Sequence, residues 1–332
     1  MSAGDKPRRY RATLWRRART FVANTTLEVV ARTARLHPAA APGRHGVEVE
    51  RNVLYGPDPH WHRFDLYRPV QRPRPWPIVF YIHGGAFHLA SKDTHWIMGL
   101  VFARAGFLVV NINYRLAPKD PFPAAIEDAC RAWRYLAAHA AELGGDPTRV
   151  VIAGESAGGN LAAALALVLA DERSEPWARE TFACGMSPRA VLPFCAILEA
   201  SRAERFGVRR RLPWWADDII RDAGASYLHG FPRTPGPEIE LANPLLVLEA
   251  AGRGERQLDR TLPPFFAAVG TRDPLLDDTR RLERALGRLG VPCEARYYRG
   301  RIHAFHALVF DPVARRCWRD ALAFIERTLR ST

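Results

Sequence analysis

Cysteine is scarce in this 332-residue chain. Its five thiols, Cys130, Cys184, Cys195, Cys293 and Cys317, are scattered, odd in number and never arranged as C-x-x-C. A disulfide framework is not expected, and a reducing, cytoplasmic compartment fits better. Histidine and cysteine do not cluster at zinc-ligand spacing, so no metal and no other cofactor is called for. No apolar stretch reaches the length of a membrane-spanning helix. Near the N-terminus, Asn24, Thr25, Thr26 and Glu28 interrupt the apolar run that a secretion signal would need. There is no internal repeat and no low-complexity tract. What remains, 48% hydrophobic and 25% charged residues, is globular composition. One α/β domain with a modest cap fits the length.

Charge of one sign is in excess, with a formal net charge of +13. The arginines are spread along the chain without a recognised nucleic-acid motif, so no specific nucleic-acid partner is expected. The densest basic cluster is N-terminal: Lys6, Arg8, Arg9, Arg11, Arg16, Arg17 and Arg19. The segment from about Arg8 to Leu36 carries Leu14, Ala18, Phe21, Val22, Val29 and Val30 near helical spacing. The favoured reading is a lid, its apolar face packed on the body and its arginines outward. The second reading is a helix resting on an anionic membrane surface, peripheral to its inner face.

Val150-Val151-Ile152-Ala153-Gly154-Glu155-Ser156-Ala157-Gly158-Gly159-Asn160-Leu161 joins a β-branched run to an Ala/Leu-rich one through G-x-S-x-G. That order is strand, sharp turn, helix, with the serine hydroxyl held out at the carboxyl edge of a sheet. A serine nucleophile needs a base, and the base needs an acid to hold its tautomer. Downstream, the strand-like Pro263–Gly270 run ends just before Asp273, and a helical stretch follows from about Asp277 to Leu289. Another strand-like run, Cys293–Tyr298, precedes His303. Ser156, Asp273 and His303 thus each follow a strand, in the chain order serine, acid, base. Asp277 and Asp278 rival Asp273, but fall at a helix start where carboxylates suit the dipole. His306 rivals His303, and with His88 and His95 is read as a local polar contact or rim residue. The run Pro77–Ile82 ends at His83-Gly84-Gly85-Ala86-Phe87, where the N–H groups of Gly84 and Gly85, with that of Ala157, form an expected oxyanion hole.

Four segments, HGGAF at His83, NYRLAPKDPFPAAIEDA at Asn113, GESAGGNLA at Gly154, and DPLLDD with IHAF near the end, carry a resemblance. The chain resembles the hormone-sensitive-lipase-like carboxylesterases of the α/β-hydrolase fold from about Ile78 to the C-terminus. It departs from their pattern at Ala86, Asn113 and Glu155. Strand-like runs alternate with helical runs from about Val47 to Arg330, which implies a mostly parallel sheet with helices on both faces. With the resemblance this gives an N-terminal segment (1–45), a catalytic domain (46–332) and a cap insertion at about 199–237. His303 matches the family's base, and the implied activity is hydrolysis of short- to medium-chain esters, with an ester as the small-molecule partner. His83 is expected to pin the oxyanion loop, and Glu155 to accept hydrogen bonds from backbone or Arg115. Ala86, Phe87, Trp214 and Trp215 are candidate pocket residues, the tryptophans also being candidates for gluing the cap to the body. An amidase, aryl formamidase or deacetylase on the same machinery, a membrane-associated lipase, and a non-catalytic receptor are the alternatives. The oligomeric state is left open.

Overall fold

The β-branched and aromatic runs of the chain become the inner strands of one eight-stranded sheet. The computed structural model describes residues 22–206, 214–231 (side chains from 220) and 234–330. The strands are β1 Glu48–Leu54, β2 Arg63–Arg68, β3 Trp76–Ile82, β4 Leu108–Ile112, β5 Gly145–Glu155, β6 Ala190–Phe194, β7 Phe265–Gly270 and β8 Cys293–Tyr298. They lie in the order β1-β2-β4-β3-β5-β6-β7-β8. The pairs β1–β2 and β2–β4 are antiparallel and the rest parallel. Every residue of β4, β6 and β7 is buried, as parallel strands covered on both faces require. The edges are different. β1 exposes Glu48, Glu50 and Arg51, and β8 carries Glu294 and an exposed Arg296.

Alternation along β3 divides the core in two. Ile78, Phe80 and Ile82 face one cluster, Val79 and Tyr81 the other. The first is covered by α3 Ala124–His139, α4 Ala157–Ala170 and α5 Pro176–Phe182. The second is covered by α2 Trp96–Arg104 and, at the far end of the chain, Pro312–Arg330. All of α4 is buried, which its Ala/Leu composition permits on every side. The helix expected from about Asp277 spans Leu276–Arg288, and the Cys293–Tyr298 strand forms with the bounds read from sequence.

Strand β6 stops at Phe194 although the apolar run continues to Leu198. Cys195 adopts φ 37°, a left-handed turn that ends pairing. The buried chain beyond it, residues 196–201, forms the base of the segment that carries helix Trp214–Tyr227. Asp278 braces this base, accepting from the N–H groups of Leu198 and Glu199 and pairing with Arg205.

The N-terminal helix α1, residues 22–35, reverses the orientation expected of a lid. Its body-facing side is largely polar. Asn24 Oδ1 accepts from Ala90 N–H at 2.8 Å, and Arg35 donates to the Asp93 carbonyl at 2.7 Å. Val22 (61%), Val29 (56%), Val30 (61%) and, just beyond the helix, Leu36 (82%) are exposed instead. The basic cluster Lys6–Arg19, with Leu14, Ala18 and Phe21, lies outside the described residues.

Candidate active site

The turn from β5 into α4 places Ser156 at φ 53°, ψ −116°, a conformation an L-residue occupies only under constraint. The constraint is close packing. A Cβ on Gly158 would stand 2.1 Å from the Ile82 carbonyl oxygen, so only glycine lets helix and strand approach. Ser156 N–H donates to the Phe194 carbonyl at 2.9 Å. Ser156 is the N-cap residue of α4 but makes no side-chain cap bond, so the capping role open to a serine here is not taken. Among the described residues its hydroxyl has no hydrogen-bond partner.

Asp273 is fully buried just past β7. One carboxylate oxygen accepts from Leu275 N–H at 2.8 Å, and the other lies 2.9 Å from His303 Nδ1. The acceptor-only carboxylate puts the proton on Nδ1 and the lone pair on Nε2. The His303 side chain is 36% exposed, so the ring reaches the surface while its partner does not. Burial alone would lower its pKa, but the Asp273 charge and the neighbouring Cys195 outweigh this and hold it well above the usual imidazole value. Asp278, the rival acid, is committed to its bracing contacts. Sequence reasoning missed Cys195, whose position at the carboxyl end of β6 is the only signal for it.

The loop after β3 is strained along its length. Gly85 has φ 121°, where a Cβ would stand 2.0 Å from the Leu89 carbonyl oxygen. Ala86, Phe87 and Ala90 also have positive φ, at 52°, 62° and 68°. Stitches hold it: Leu89 N–H to the Gly85 carbonyl at 2.8 Å, Ala117 N–H to the Phe87 carbonyl at 2.9 Å, and Ala90 N–H to Asn24. Burial, aided by His95, pushes the His83 imidazole down to about 3, so it is neutral, and Nδ1–H donates to the Gly84 carbonyl at 2.6 Å. Tyr114 stacks on that ring with centroids 4.3 Å apart and donates to the His83 carbonyl at 2.9 Å. Asn113 supports the same loop by accepting from Lys92 N–H at 2.7 Å. Among the described residues the N–H groups of Gly84 and Gly85 have no acceptor.

A family model described as the alpha/beta hydrolase fold matches residues 79–307. The chain belongs to this family. It is 36% identical over 236 residues to esterase LipI of Mycobacterium tuberculosis, a match covering 69% of this chain and 65% of that protein. It is 30% identical to carboxylesterase NlhH of the same species over 260 residues, covering 77% of this chain and 75% of the relative. The crystal structure of esterase LipW from Mycobacterium marinum superimposes with a TM-score of 0.75 at 26% identity, covering 93% of this chain and 90% of that one.

Within this α/β-hydrolase frame several expectations are corrected or limited. Glu155 does not meet Arg115, which pairs with Asp128 at 2.7 Å and Glu127 at 2.9 Å. Its two carboxylate oxygens instead lie 2.6 Å from His95 Nε2 and 2.6 Å from His306 Nε2. Burial alone would raise the Glu155 carboxyl, but the two imidazoles hold it well below the usual range. The elbow is thereby tied to the chain beyond the oxyanion loop and to the chain beyond His303. His306 is buried, so of its two expected roles it takes the local polar contact and not the rim. Phe87 does not face an open pocket. It is fully buried and stacks on Tyr227 with centroids 3.8 Å apart, locking helix Trp214–Tyr227 to the oxyanion loop. The side chains of Trp214 and Trp215 lie outside the described residues. The Ala86 methyl is partly buried against the core.

Proposed function

We propose that the chain is a serine carboxylic-ester hydrolase acting on short- to medium-chain acyl esters. The observation that carries this is the Asp273–His303 contact at 2.9 Å, in a chain whose only G-x-S-x-G turn holds Ser156 strained and uncapped. The names of the relatives support the reaction class. His303 Nε2 takes the Ser156 proton as the hydroxyl attacks the ester carbonyl. The oxyanion is held by the N–H groups of Gly84, Gly85 and Ala157, each donor contributing on the order of 3–4 kcal/mol to the barrier. His303 then protonates the leaving alcohol, and water activated by the same ring frees the acyl group. Hydrogen bonds between nucleophile and base commonly tighten only when substrate binds, which fits the free Ser156 hydroxyl.

The test is labelling by a fluorophosphonate probe together with hydrolysis of a p-nitrophenyl ester series from acetate to dodecanoate. Ser156→Ala is expected to abolish both, with losses of order 10⁴ in turnover. A variant that keeps more than about a hundredth of the activity contradicts the assignment. Matched anilides in the same panel separate an amidase from an esterase.

A second reading concerns partners. No helix among the described residues is long and apolar enough to cross a membrane. The outward stripe Val22, Val29, Val30 and Leu36, which continues from the basic N-terminal sequence, supports peripheral contact with anionic lipid. Sedimentation with phosphatidylserine vesicles is expected to carry the protein down at low salt and to fail for a Val29→Glu, Val30→Glu double variant. Equal binding of both forms counts against it.

A further inference from the structure

We propose that Cys195, Asp273 and His303 form an inhibitory site for a thiophilic divalent cation, zinc first among them. The Cys195 sulfur, an Asp273 carboxylate oxygen and a His303 ring nitrogen all lie within 4.8 Å of one another. Tetrahedral ligands about 2.0–2.3 Å from one zinc ion stand roughly 3.3–3.8 Å from each other, so these three atoms close on a cation with side-chain shifts of up to about 1 Å. The donor set is the kind zinc takes: one thiolate, one imidazole, one carboxylate, with a fourth position left for water. The thiol selects against magnesium and calcium, which prefer oxygen ligands throughout.

The elements make the cluster. Cys195 sits in the left-handed turn that ends β6, Asp273 follows β7 and His303 follows β8, so three neighbouring strands deliver one ligand each to the same sheet edge. Cys195 and Asp273 are buried, and His303 is the partly exposed member through which a cation reaches them.

The consequence for catalysis does not depend on which ring nitrogen binds. A neutral imidazole has one lone pair and one N–H. A cation on Nε2 occupies the lone pair that would accept the Ser156 proton. A cation on Nδ1 leaves the only N–H on Nε2, which again cannot accept. Either way the base is removed, a step that rests on the assignment of His303 given above, whereas cation binding does not.

Two measurements on the full chain separate these. The first is hydrolysis of p-nitrophenyl acetate against zinc chloride concentration. The second is the thiolate-to-cobalt charge-transfer absorption on adding cobalt(II). Wild-type enzyme is expected to lose activity with zinc, regain it with EDTA, and show the cobalt band. Cys195→Ala, scored against its own metal-free rate, is expected to need at least about tenfold more zinc for inhibition and to lack the band. The other four cysteines remain in that variant, so the difference reports Cys195 alone. Cys195→Ser serves if the alanine variant does not fold. Ser156→Ala is expected to be inactive yet keep the band. A band without zinc inhibition leaves the site standing and overturns the role of His303. A wild-type protein without the band, or one whose zinc sensitivity is unchanged by Cys195→Ala, overturns the site.

Discussion

Ala86 holds a φ of 52°, one a glycine adopts freely. Left-handed backbone costs a non-glycine residue about 1–2 kcal/mol. Replacing it with glycine relieves that strain but frees the unfolded chain by about 0.4–1 kcal/mol. Ala86→Gly is therefore expected to leave stability within about 1 kcal/mol, measured by urea unfolding. In activity it is expected to widen tolerance for bulky or branched esters by at most about 1–3 kcal/mol in kcat/KM. An unchanged branched-alcohol profile would show that the methyl group, packed on the core, does not line the pocket. His303 is the other residue with a direct readout. A base acts only when neutral, and this one has its pKa raised by Asp273. The acid limb of kcat/KM is expected to lie above the ordinary imidazole range, with activity lost as pH falls through it. A limb at or below the ordinary imidazole value speaks against His303 as the base.

The N-terminal helix and the oxyanion loop form a mechanical pair at the scale of elements. Ala90, itself at positive φ, gives its N–H to Asn24 on the helix. Asn24→Ala removes that acceptor and is expected to lower folding stability by at most about 1 kcal/mol and kcat by up to about fivefold, with KM little changed. An unchanged kcat means the remaining stitches hold the loop alone. The orientation of this helix was not legible in its sequence. Periodicity groups Val22 with Val29 and Asn24 with Arg35, but does not say which group meets the body. That choice is made by Ala90 and Asp93, distant in sequence and needing partners for their polar groups. By contrast the β7, Leu276–Arg288 and β8 succession was legible almost to the residue, because the hydrophobic period changes sharply at each junction.

Across the whole molecule, the fold was legible from strand-like runs alternating with helical ones, and so was the convergence of Asp273 and His303, since each follows a strand. The cross-ties were not. Glu155 meets His95 and His306, and Cys195 meets His303, through side chains that carry no motif and are adjacent only once the sheet is built. These ties predict the response to acid. The carboxyls of Glu155, Asp128 and Asp93 have pKa values lowered in the folded state. Such groups add stability that is fully present above the unfolded carboxylate values, about 4, and is lost as pH falls through the folded ones. The urea midpoint is expected to decline from about pH 6.5, where the unfolded but not the buried His83 imidazole takes up a proton, and more steeply below about pH 4 as the carboxyls join. Glu155→Gln is expected to be less stable at pH 7 by about 3–5 kcal/mol, since a buried partner is removed, and to fall less steeply below pH 4. Parallel acid profiles for the two proteins would contradict this account of Glu155.

The charged margins of the sheet have a consequence for handling the protein. Glu48, Glu50 and Arg51 line one outer strand, and Glu294 and Arg296 the other. A strand from another molecule adding to either side would have to bring like charges together or strip them of water. Fibrous growth from intact molecules is thereby disfavoured, while the apolar inner strands that favour it stay hidden until the sheet opens. On heating, light scattering should rise only after the near-ultraviolet circular dichroism has begun to collapse. Clumping that precedes this loss would instead trace to the bare valines of the first helix.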